Sequence, residues 1–199
     1  RRFKRYMMRG LKDRIFVVAG GGTGIGAATA QRLAEEGAKV VIGDLSAENA
    51  QRVAARLEAV GARALGVSFD MVVEDSVRAL IEVAVQHFGG LDGVHVNAAD
   101  IALLKSDTDA ETLPMEVFDR TLAVNLRGHL LCTRHALPEI LKRGGGSLVY
   151  TSSAAAFMVS DSVEIAIVKR LGTSTRMFCL LSAFVKFASI ESGFKSKNA

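Results

Sequence analysis

The sequence is poor in the residues that would indicate a disulfide scaffold, a metal site or a membrane span. It has only two cysteines, Cys132 and Cys179, among 199 residues. They show neither a pairing framework nor metal-ligand spacing, so we expect a reduced, cytoplasmic protein. The four histidines also form no metal-ligand motif, and we expect no metal. No apolar run reaches the roughly 18 residues of a membrane helix, so no membrane partner is predicted.

An excess of charge of one sign is also nearly absent. Lys and Arg number 25 against 21 Asp and Glu, and much of the net charge of +4 lies in the first five residues. No apolar run follows them, so they do not form a secretory signal. We interpret residues 1–9 as a basic tail, a cloning remnant or a weak targeting signal. A nucleic-acid surface would need a basic face with aromatic platforms, and none is evident.

The sequence does contain short apolar runs rich in valine and isoleucine. They are Ile15–Ala19, Lys39–Ile42, Ala64–Phe69, Val94–Ala98 and Ser147–Tyr150. They do not alternate cleanly with polar residues, which is typical of strands buried on both faces of a parallel sheet.

The segments between the first four runs have helical periodicity. Apolar or small residues recur at i, i+3, i+4 and i+7, which gives each segment one face that can pack on a sheet. The sets are Ala30, Leu33, Ala34 and Gly37; Ala50, Val53, Ala54 and Leu57; and Val77, Leu80, Ile81 and Ala84. This alternation predicts right-handed βαβ units in a Rossmann-type α/β fold, a doubly wound parallel sheet in three α/β/α layers.

The composition changes near Val159. Of the 19 glycines, 17 precede it, and the rest of the chain is rich in Ser, Phe and Lys. One more helix is predicted from Met177, Leu180, Leu181 and Phe184. We therefore predict one domain with a nucleotide-binding core over 10–159 and a divergent helical segment over 160–199. That segment would lack the last strands, through a truncation or a frame change.

The strongest local signal is the glycine-rich turn Ala19–Gly26, which follows the first run and opens a helical segment. Glycine lets a backbone turn sharply and approach a pyrophosphate that a Cβ would keep away. The N-terminus of the helix then offers N–H groups and partial positive charge to the phosphates. A flexible loop has a similar composition, but the strand–turn–helix context favours phosphate binding.

Asp44 follows the second run, 18 residues after Gly26. A carboxylate there can accept hydrogen bonds from the adenosine ribose and repel a 2′-phosphate. Its neighbours Gly43, Leu45 and Ser46 are not basic, so NAD is favoured over NADP. Alternatively, Asp44 caps the next helix, although Ser46 is better placed for that role.

Five motifs in order resemble those of the short-chain dehydrogenase/reductase family. They are the Gly-x-x-x-Gly-x-Gly turn, Asp70 after the third run, Asn97-Ala98-Ala99, Val124-Asn125-Leu126, and the segment Gly146–Ser153. The resemblance covers about residues 10–159. It implies a homo-oligomeric oxidoreductase that transfers hydride between NAD(H) and a small secondary alcohol or ketone.

The resemblance also implies roles for single residues. Ser153 would hydrogen-bond the reacting substrate oxygen, Lys169 would hold the nicotinamide ribose, and Asn125 would lie at a backbone distortion beside a relay water. From the residues alone, Asn125 would be a core residue hydrogen-bonded to the backbone, and Ser152 and Ser153 would be turn residues at the end of a strand. The expected NAD contacts are Gly20, Gly22, Thr23, Gly24, Ile25, Gly26, Asp44, Leu45, Asp70, Met71, Asn97, Ala98, Ala99 and Lys169.

The family's catalytic tyrosine is missing. A Tyr-x-x-x-Lys pair lies on one helix face, where the ammonium lowers the tyrosine pKa and the phenol exchanges a proton with the substrate. Here Ile165 lies four residues before Lys169, and counting forward from Ser153 reaches Ala166. Neither can transfer a proton. The only tyrosines are Tyr6, in the basic tail, and Tyr150, interpreted as strand packing.

Three functions therefore fit the sequence. The chain is an NAD-dependent oxidoreductase with weakened or lost turnover, a non-catalytic dinucleotide-binding or subunit-interaction protein, or an inactive product of an altered gene. The glycine turn and Asp44 suit the first two equally, whereas Ile165 argues against full activity. We adopt the first as the family function.

Overall fold

The computed structural model describes residues 10–106, 108 and 111–152, and the backbone of residues 188–191. The strands are β1 (Ile15–Ala19), β2 (Lys39–Asp44), β3 (Arg63–Ser68), β4 (Gly93–Val96), β5 (Gly145–Tyr150) and β6 (Ala188–Glu191). The α-helices are α1 (Gly24–Glu35), α2 (Ala47–Glu58), α3 (Glu74–Phe88), α4 (Met115–Leu122) and α5 (His129–Lys142). A 3-10 helix spans Ile101–Lys105, and a π-helix spans Ala123–Gly128 between α4 and α5.

The strands form one sheet in the order β3-β2-β1-β4-β5-β6. The first five pair in parallel, and β6 pairs antiparallel to β5. The chain moves outward from β1 to β3 and then crosses back to β4, so the strand order reverses between β1 and β4. In a doubly wound sheet this reversal leaves a crevice at the carboxyl ends of the two strands.

Helices cover both faces of the sheet, as the periodicity predicts. On one face, α1 and α2 pack through Ala30, Ala50 and Val53 against strand residues such as Val18 and Ile42. On the other face lie α3 and α5. Their buried residues are Val77, Leu80, Ile81, Ala84, Leu131, Cys132, Ala136 and Ile140. The Rossmann-type α/β architecture is thereby confirmed, with two apolar cores on either side of a parallel sheet.

The prediction that residues 160–199 contain a helix and no strand is wrong for 188–191, which form β6. Its backbone pairs with Gly145–Leu148, from Gly145 opposite Glu191 to Leu148 opposite Ala188. Without β6, this edge of β5 would present unpaired N–H and C=O groups, and pairing with another strand satisfies them. The predicted helix around Met177–Phe184 and the basic tail lie outside the described residues.

A buried carboxylate ties the amino ends of the strands together. Asp92, only 5% exposed, precedes β4. It accepts hydrogen bonds from the Ile15 amide at 2.9 Å, from Arg14 Nη1 at 2.8 Å and from Arg143 Nε and Nη2 at 3.2 Å. Burial raises the pKa of Asp92, but these donors outweigh burial and hold it below its usual range.

Replacing Asp92 with alanine should lower the free energy of unfolding by about 3 kcal/mol, because it leaves a buried amide and two guanidinium groups without their acceptor. The native pKa is depressed, so the stabilisation is present above the unfolded pKa of about 3.9 and is lost as pH falls through the native pKa. Urea unfolding at pH 7 and at pH 3 measures both effects.

The matched control for this experiment is Asp13→Asn, because Asp13 has φ +64° and asparagine, unlike alanine, readily adopts this left-handed conformation. Asp13 pairs with Arg63, but both side chains are at least half exposed. Exposed ion pairs contribute little to stability, so this variant should unfold like the unmutated protein. Equal destabilisation by the two substitutions would contradict the importance of the buried network.

Candidate cofactor site

The candidate site begins at the glycine turn between β1 and α1. The Gly20 and Gly21 amides both donate to Gly43 O, at 2.8 and 2.9 Å, which anchors the turn to the end of β2. Gly20 has φ +82°, and a Cβ there would lie 2.5 Å from the backbone N of Ala98. Gly26 is equally constrained, because a Cβ would lie 2.0 Å from Gly20 O. The close approach of turn, helix and β4 therefore requires glycine at both positions.

The helix that follows can receive an anion. Thr23 is the N-cap of α1, but its side chain makes no capping hydrogen bond, and the first turn holds no acidic residue. The N–H groups at the start of a helix have no partner within the helix. Together with the helix dipole, they form a surface suited to phosphate oxygens.

Asp44 is fixed at the end of β2 by two backbone donors. Its Oδ2 accepts from the Gly22 amide at 2.8 Å, and its Oδ1 accepts from the Ser46 amide at 3.0 Å. Ser46 itself caps α2 through Asn49, as predicted. Each carboxylate oxygen retains a further lone pair, so the ribose hydroxyls could still donate to Asp44. A Cβ on Gly22 would lie 2.6 Å from the Asp44 carboxyl carbon, which explains the glycine there.

Four of the other predicted cofactor contacts, Ile25, Leu45, Asp70 and Met71, differ in how exposed they are. Ile25 and Leu45 leave 64% and 67% of their surface exposed, so these apolar side chains are open to a ligand. Met71 is buried in the core, where a Cβ on Gly128 would lie 2.4 Å from its Cγ. Asp70 Oδ1 accepts from the Val72 amide at 3.0 Å and thereby shapes the turn after β3. Of these residues, Met71 is the least accessible.

The carboxyl ends of β4 and β5 are joined to the glycine turn by hydrogen bonds. Asn97 Nδ2 donates to Gly20 O at 3.0 Å, and Thr151 Oγ1 donates to Asn97 Oδ1 at 2.8 Å. His95 Nε2 lies 2.8 Å from Thr151 Oγ1. We call these four residues the His95 network. Asn97 is thus tied to the glycine turn by a hydrogen bond, and its contact with the cofactor stays a prediction.

Sequence reasoning missed His95 as a site residue; it expected Thr151 near the nicotinamide but did not predict its hydrogen bonds to His95 and Asn97. Because side chains alternate along a strand, His95 lies on the same sheet face as Asn97, two positions away. Thr151 follows β5 directly beside Val96, to whose carbonyl its amide donates at 2.9 Å. A polar residue two positions before Asn97, inside an otherwise apolar strand, was the signal available in the sequence.

Asn125 lies within the π-helix, so the backbone distortion implied by the resemblance is present. Among the residues that the structure describes, its buried Oδ1 has no hydrogen-bond partner, and neither has the buried Ser152 Oγ. Within the described residues, the backbone therefore does not satisfy this oxygen, in contrast to the alternative of a core asparagine. A buried, unpaired acceptor costs about 1–3 kcal/mol, so these atoms favour a site that binds a further polar group.

Tyr150 is a packing residue, as interpreted. It is partly buried against the core of α3 and α5, its hydroxyl lies 2.5 Å from Thr133 Oγ1, and its ring stacks on His129 at 5.8 Å. Burial lowers the pKa of His129, although its contact with Val124 O raises it in part. Ser153, Lys169, Ile165 and Ala166 lie outside the described residues, so their proposed roles stay predictions.

Two further observations bear on function. In the described part of the chain, no group of three or more His, Cys, Asp or Glu residues is placed to hold a metal ion. None of the helices in that part is long and apolar enough to cross a membrane.

Comparison with known proteins identifies the family. The family described as short chain dehydrogenase matches residues 14–165. An uncharacterized oxidoreductase of Thermotoga maritima is 38% identical over 157 residues, which are 77% of this chain and 59% of that protein. A cis-4-hydroxycyclohexanecarboxylate dehydrogenase of Sinomonas cyclohexanicum is 43% identical over 141 residues, 71% of this chain and 55% of that protein. The chain thus spans a little over half the length of these curated relatives.

A solved structure agrees with this result. A 7α-hydroxysteroid dehydrogenase, complexed with NADH and 7-oxo glycochenodeoxycholic acid, superimposes with a TM-score of 0.72 at 26% identity. The match covers 78% of this chain and 59% of that one. The chain therefore belongs to the short-chain dehydrogenase/reductase family, a family of oxidoreductase enzymes.

Proposed function

We propose that this chain binds NAD(H) in the crevice between β1 and β4 and that its family reaction is the oxidation of a secondary alcohol or the reduction of a ketone. The observation that carries the proposal is the pairing of the glycine turn with Asp44. The Gly22 amide donates to Asp44 Oδ2, so the phosphate-binding turn and the ribose-binding carboxylate form one rigid unit. The NADH complex of the related hydroxysteroid dehydrogenase supports the same cofactor.

The residues of the site fit each part of the dinucleotide. The start of α1 would hold the pyrophosphate, and Asp44 would hold the adenosine ribose. Ile25 and Leu45 would contact the apolar surfaces of the dinucleotide. When bound, NAD supplies the hydride acceptor and NADH the hydride donor. Asn125, with its unpaired Oδ1, would orient polar groups at the substrate end, where Ser153 and Lys169 are also proposed.

An alicyclic secondary alcohol is the substrate class we propose. The name of the Sinomonas relative describes a hydroxyl on a cyclohexane ring. The family resemblance assigns to Ser153 the hydrogen bond that would polarise the substrate oxygen. A non-catalytic dinucleotide-binding role is the second candidate, favoured by Ile165 and Ala166 at the positions where the tyrosine is expected.

NADH should bind at least about tenfold more tightly than NADPH, because Asp44 would lie beside the 2′-phosphate and like charges repel. Asp44→Asn should weaken that preference because the charge is gone; its amide oxygen can still accept from the Gly22 amide, while its Nδ2 then faces the Ser46 amide. Asp44→Ala should weaken NADH binding further, because the acceptor for the Gly22 amide is lost as well. Calorimetric titration of each variant with both cofactors measures these differences.

The comparison between the two substitutions separates charge from geometry. Equal effects of Asp44→Asn and Asp44→Ala on NADPH would mean that charge repulsion alone sets the preference. Tighter binding of NADPH than NADH by the unmutated chain would contradict the assignment of Asp44 to the ribose.

We also propose that the chain forms a homo-oligomer. Leu126, Leu130 and Leu141 expose 42%, 61% and 46% of their surface along the π-helix and α5, and Met115 of α4 exposes 62%. Exposed apolar residues grouped on neighbouring helices mark association surfaces. The sequence also places Phe118, Leu122 and Leu126 at i, i+4 and i+8 of these helices, and the resemblance implies contacts between subunits there. The helix predicted from Met177, Leu180, Leu181 and Phe184 lies outside the described residues.

Sedimentation at micromolar concentration should therefore show a dimer or a larger species. Replacing Leu130 with Lys should shift the distribution toward monomer, because a charge would have to be desolvated in the interface. The matched control is Val60→Lys, since Val60 is 79% exposed after α2, away from this surface. A clean monomer of the unmutated chain would contradict the proposal.

A further inference from the structure

The hydrogen bonds of the His95 network allow only one consistent assignment of donors and acceptors. Gly20 O is a carbonyl and only accepts, so the Asn97 amide must present its Nδ2 to it. The Asn97 Oδ1 then faces Thr151 and only accepts, so the single hydroxyl hydrogen of Thr151 is donated to it. The remaining contact, from Thr151 Oγ1 to His95 Nε2 at 2.8 Å, therefore requires the histidine to donate.

This direction determines the state of the imidazole. His95 carries a hydrogen on Nε2, and in the neutral ring Nδ1 is then the unprotonated nitrogen. Nδ1 is buried and has no hydrogen-bond partner among the described residues. Burial also lowers the pKa of His95, which favours the neutral ring. The geometry thus requires a hydrogen on Nε2, and the burial of the ring favours its neutral form.

The other end of the network acts on the phosphate-binding turn. Gly20 O accepts from Asn97, and a Cβ on Gly26 would lie only 2.0 Å from this oxygen. Rotating this peptide would therefore move both the turn and the first residues of α1. The orientation of the Gly20 carbonyl is set from β4 and β5, through side chains that do not themselves belong to the turn.

We propose that His95, acting through Thr151 and Asn97, is a positioning residue that preorganises the glycine turn for the dinucleotide pyrophosphate. This deepens the proposed function and rests on it, since it concerns the affinity of the same site for NADH. His95 acts without touching the cofactor. Its Nε2–H donates to Thr151 Oγ1 and so holds that hydroxyl in place as the donor to Asn97, whose amide holds the turn in the shape that phosphate binding needs.

The test compares two substitutions of His95 in the full chain. His95→Leu removes the donor with little change in volume, and His95→Gln keeps an N–H donor near the position of Nε2. We expect His95→Leu to raise the Kd for NADH about tenfold, the effect of losing a buried hydrogen bond, and His95→Gln to restore it to within about threefold of the unmutated value. Thr151→Val should resemble His95→Leu, and the double variant should be no weaker than either alone.

A merely structural role would give a different pattern. In that case both His95 substitutions would lower the melting temperature and weaken NADH binding in parallel, without rescue by glutamine. NADH binding by His95→Leu equal to that of the unmutated chain would also overturn the proposal.

A second readout does not depend on NADH. In the cofactor-free protein, ring ¹⁵N chemical shifts should show a protonated Nε2 and an unprotonated Nδ1 in His95 at pH 7. The amide resonances of Gly20, Gly21 and Gly22 should shift in His95→Leu and return toward their original positions in His95→Gln. Protonated Nδ1 with bare Nε2, or unmoved glycine resonances, would overturn the network. Failure of NADH to bind the unmutated chain, with these signatures present, would reject the proposed function alone.

Discussion

Dehydrogenase turnover by this chain is expected to lie about 10²–10⁴-fold below that of a family member with its tyrosine in place, even with NADH bound. A positioned general acid/base contributes a factor of that size, and Ile165 and Ala166 have no exchangeable proton. The glycine turn and Asp44, which are proposed to hold the cofactor, do not depend on the tyrosine, so we expect the defect to appear in kcat rather than in cofactor affinity.

Restoring the phenol tests this explanation directly. Ile165→Tyr recreates the four-residue spacing to Lys169, so activity should rise measurably on a panel of alicyclic secondary alcohols. Ile165→Phe is the matched control, because it adds the ring without the hydroxyl and should leave turnover low. Ala166→Tyr tests the alternative register. An ordinary rate of about 10 per second by the unmutated chain would show that another group donates the proton.

Replacing Gly20 with alanine is expected to weaken NADH binding by about 100-fold or more, roughly 2.7 kcal/mol. The methyl group would lie 2.5 Å from Ala98 N and 2.6 Å from Ala98 Cα, and neither backbone atom can give way without moving β4. The turn would have to open, and its amides would leave the positions that the pyrophosphate needs. Calorimetry and thermal unfolding of the same variant measure both consequences.

Gly61 provides a closely matched control for this substitution. Its φ of +84° is nearly that of Gly20 at +82°, but a Cβ there meets nothing within 4 Å. Gly61→Ala should therefore incur only the backbone strain, about 1–2 kcal/mol of stability, and leave NADH binding unchanged. Similar losses of NADH affinity in both variants would show that strain, rather than the contact with Ala98, explains the result.

Much of the fold was predictable because the spacing of apolar residues along the sequence indicates which face of each helix is buried. The stripes on α2 and α3, from Ala50 to Leu57 and from Val77 to Ala84, are buried at every predicted position. The ends of the strands were less predictable, because they depend on pairing. β4 ends at Val96 because the Asn97 and Ala98 amides both donate to Ala19 O, which interrupts the ladder. β5 begins at Gly145 because β6 pairs with it there.

The candidate site was predictable at the glycine turn, because only glycine fits where the backbone approaches neighbouring atoms so closely. The glycines at 20, 22 and 26 each lie where a Cβ would collide with neighbouring atoms. The His95 network was not predictable, because it depends on which side chains of two strands, 56 residues apart, meet across the sheet. Its polar residues are scattered in the sequence, and only the register between β4 and β5 brings them together.

Direct titration of the unmutated chain with NADH tests the central claim. The sequence has no tryptophan, so the change in NADH fluorescence on binding is free of indole emission. We expect saturable binding of one NADH per chain, displaced by NAD⁺ and weakened about 100-fold or more in Gly20→Ala. Absence of any saturable signal up to about 1 mM NADH, a Kd equivalent to roughly 4 kcal/mol, would contradict the assignment of this crevice as a dinucleotide site.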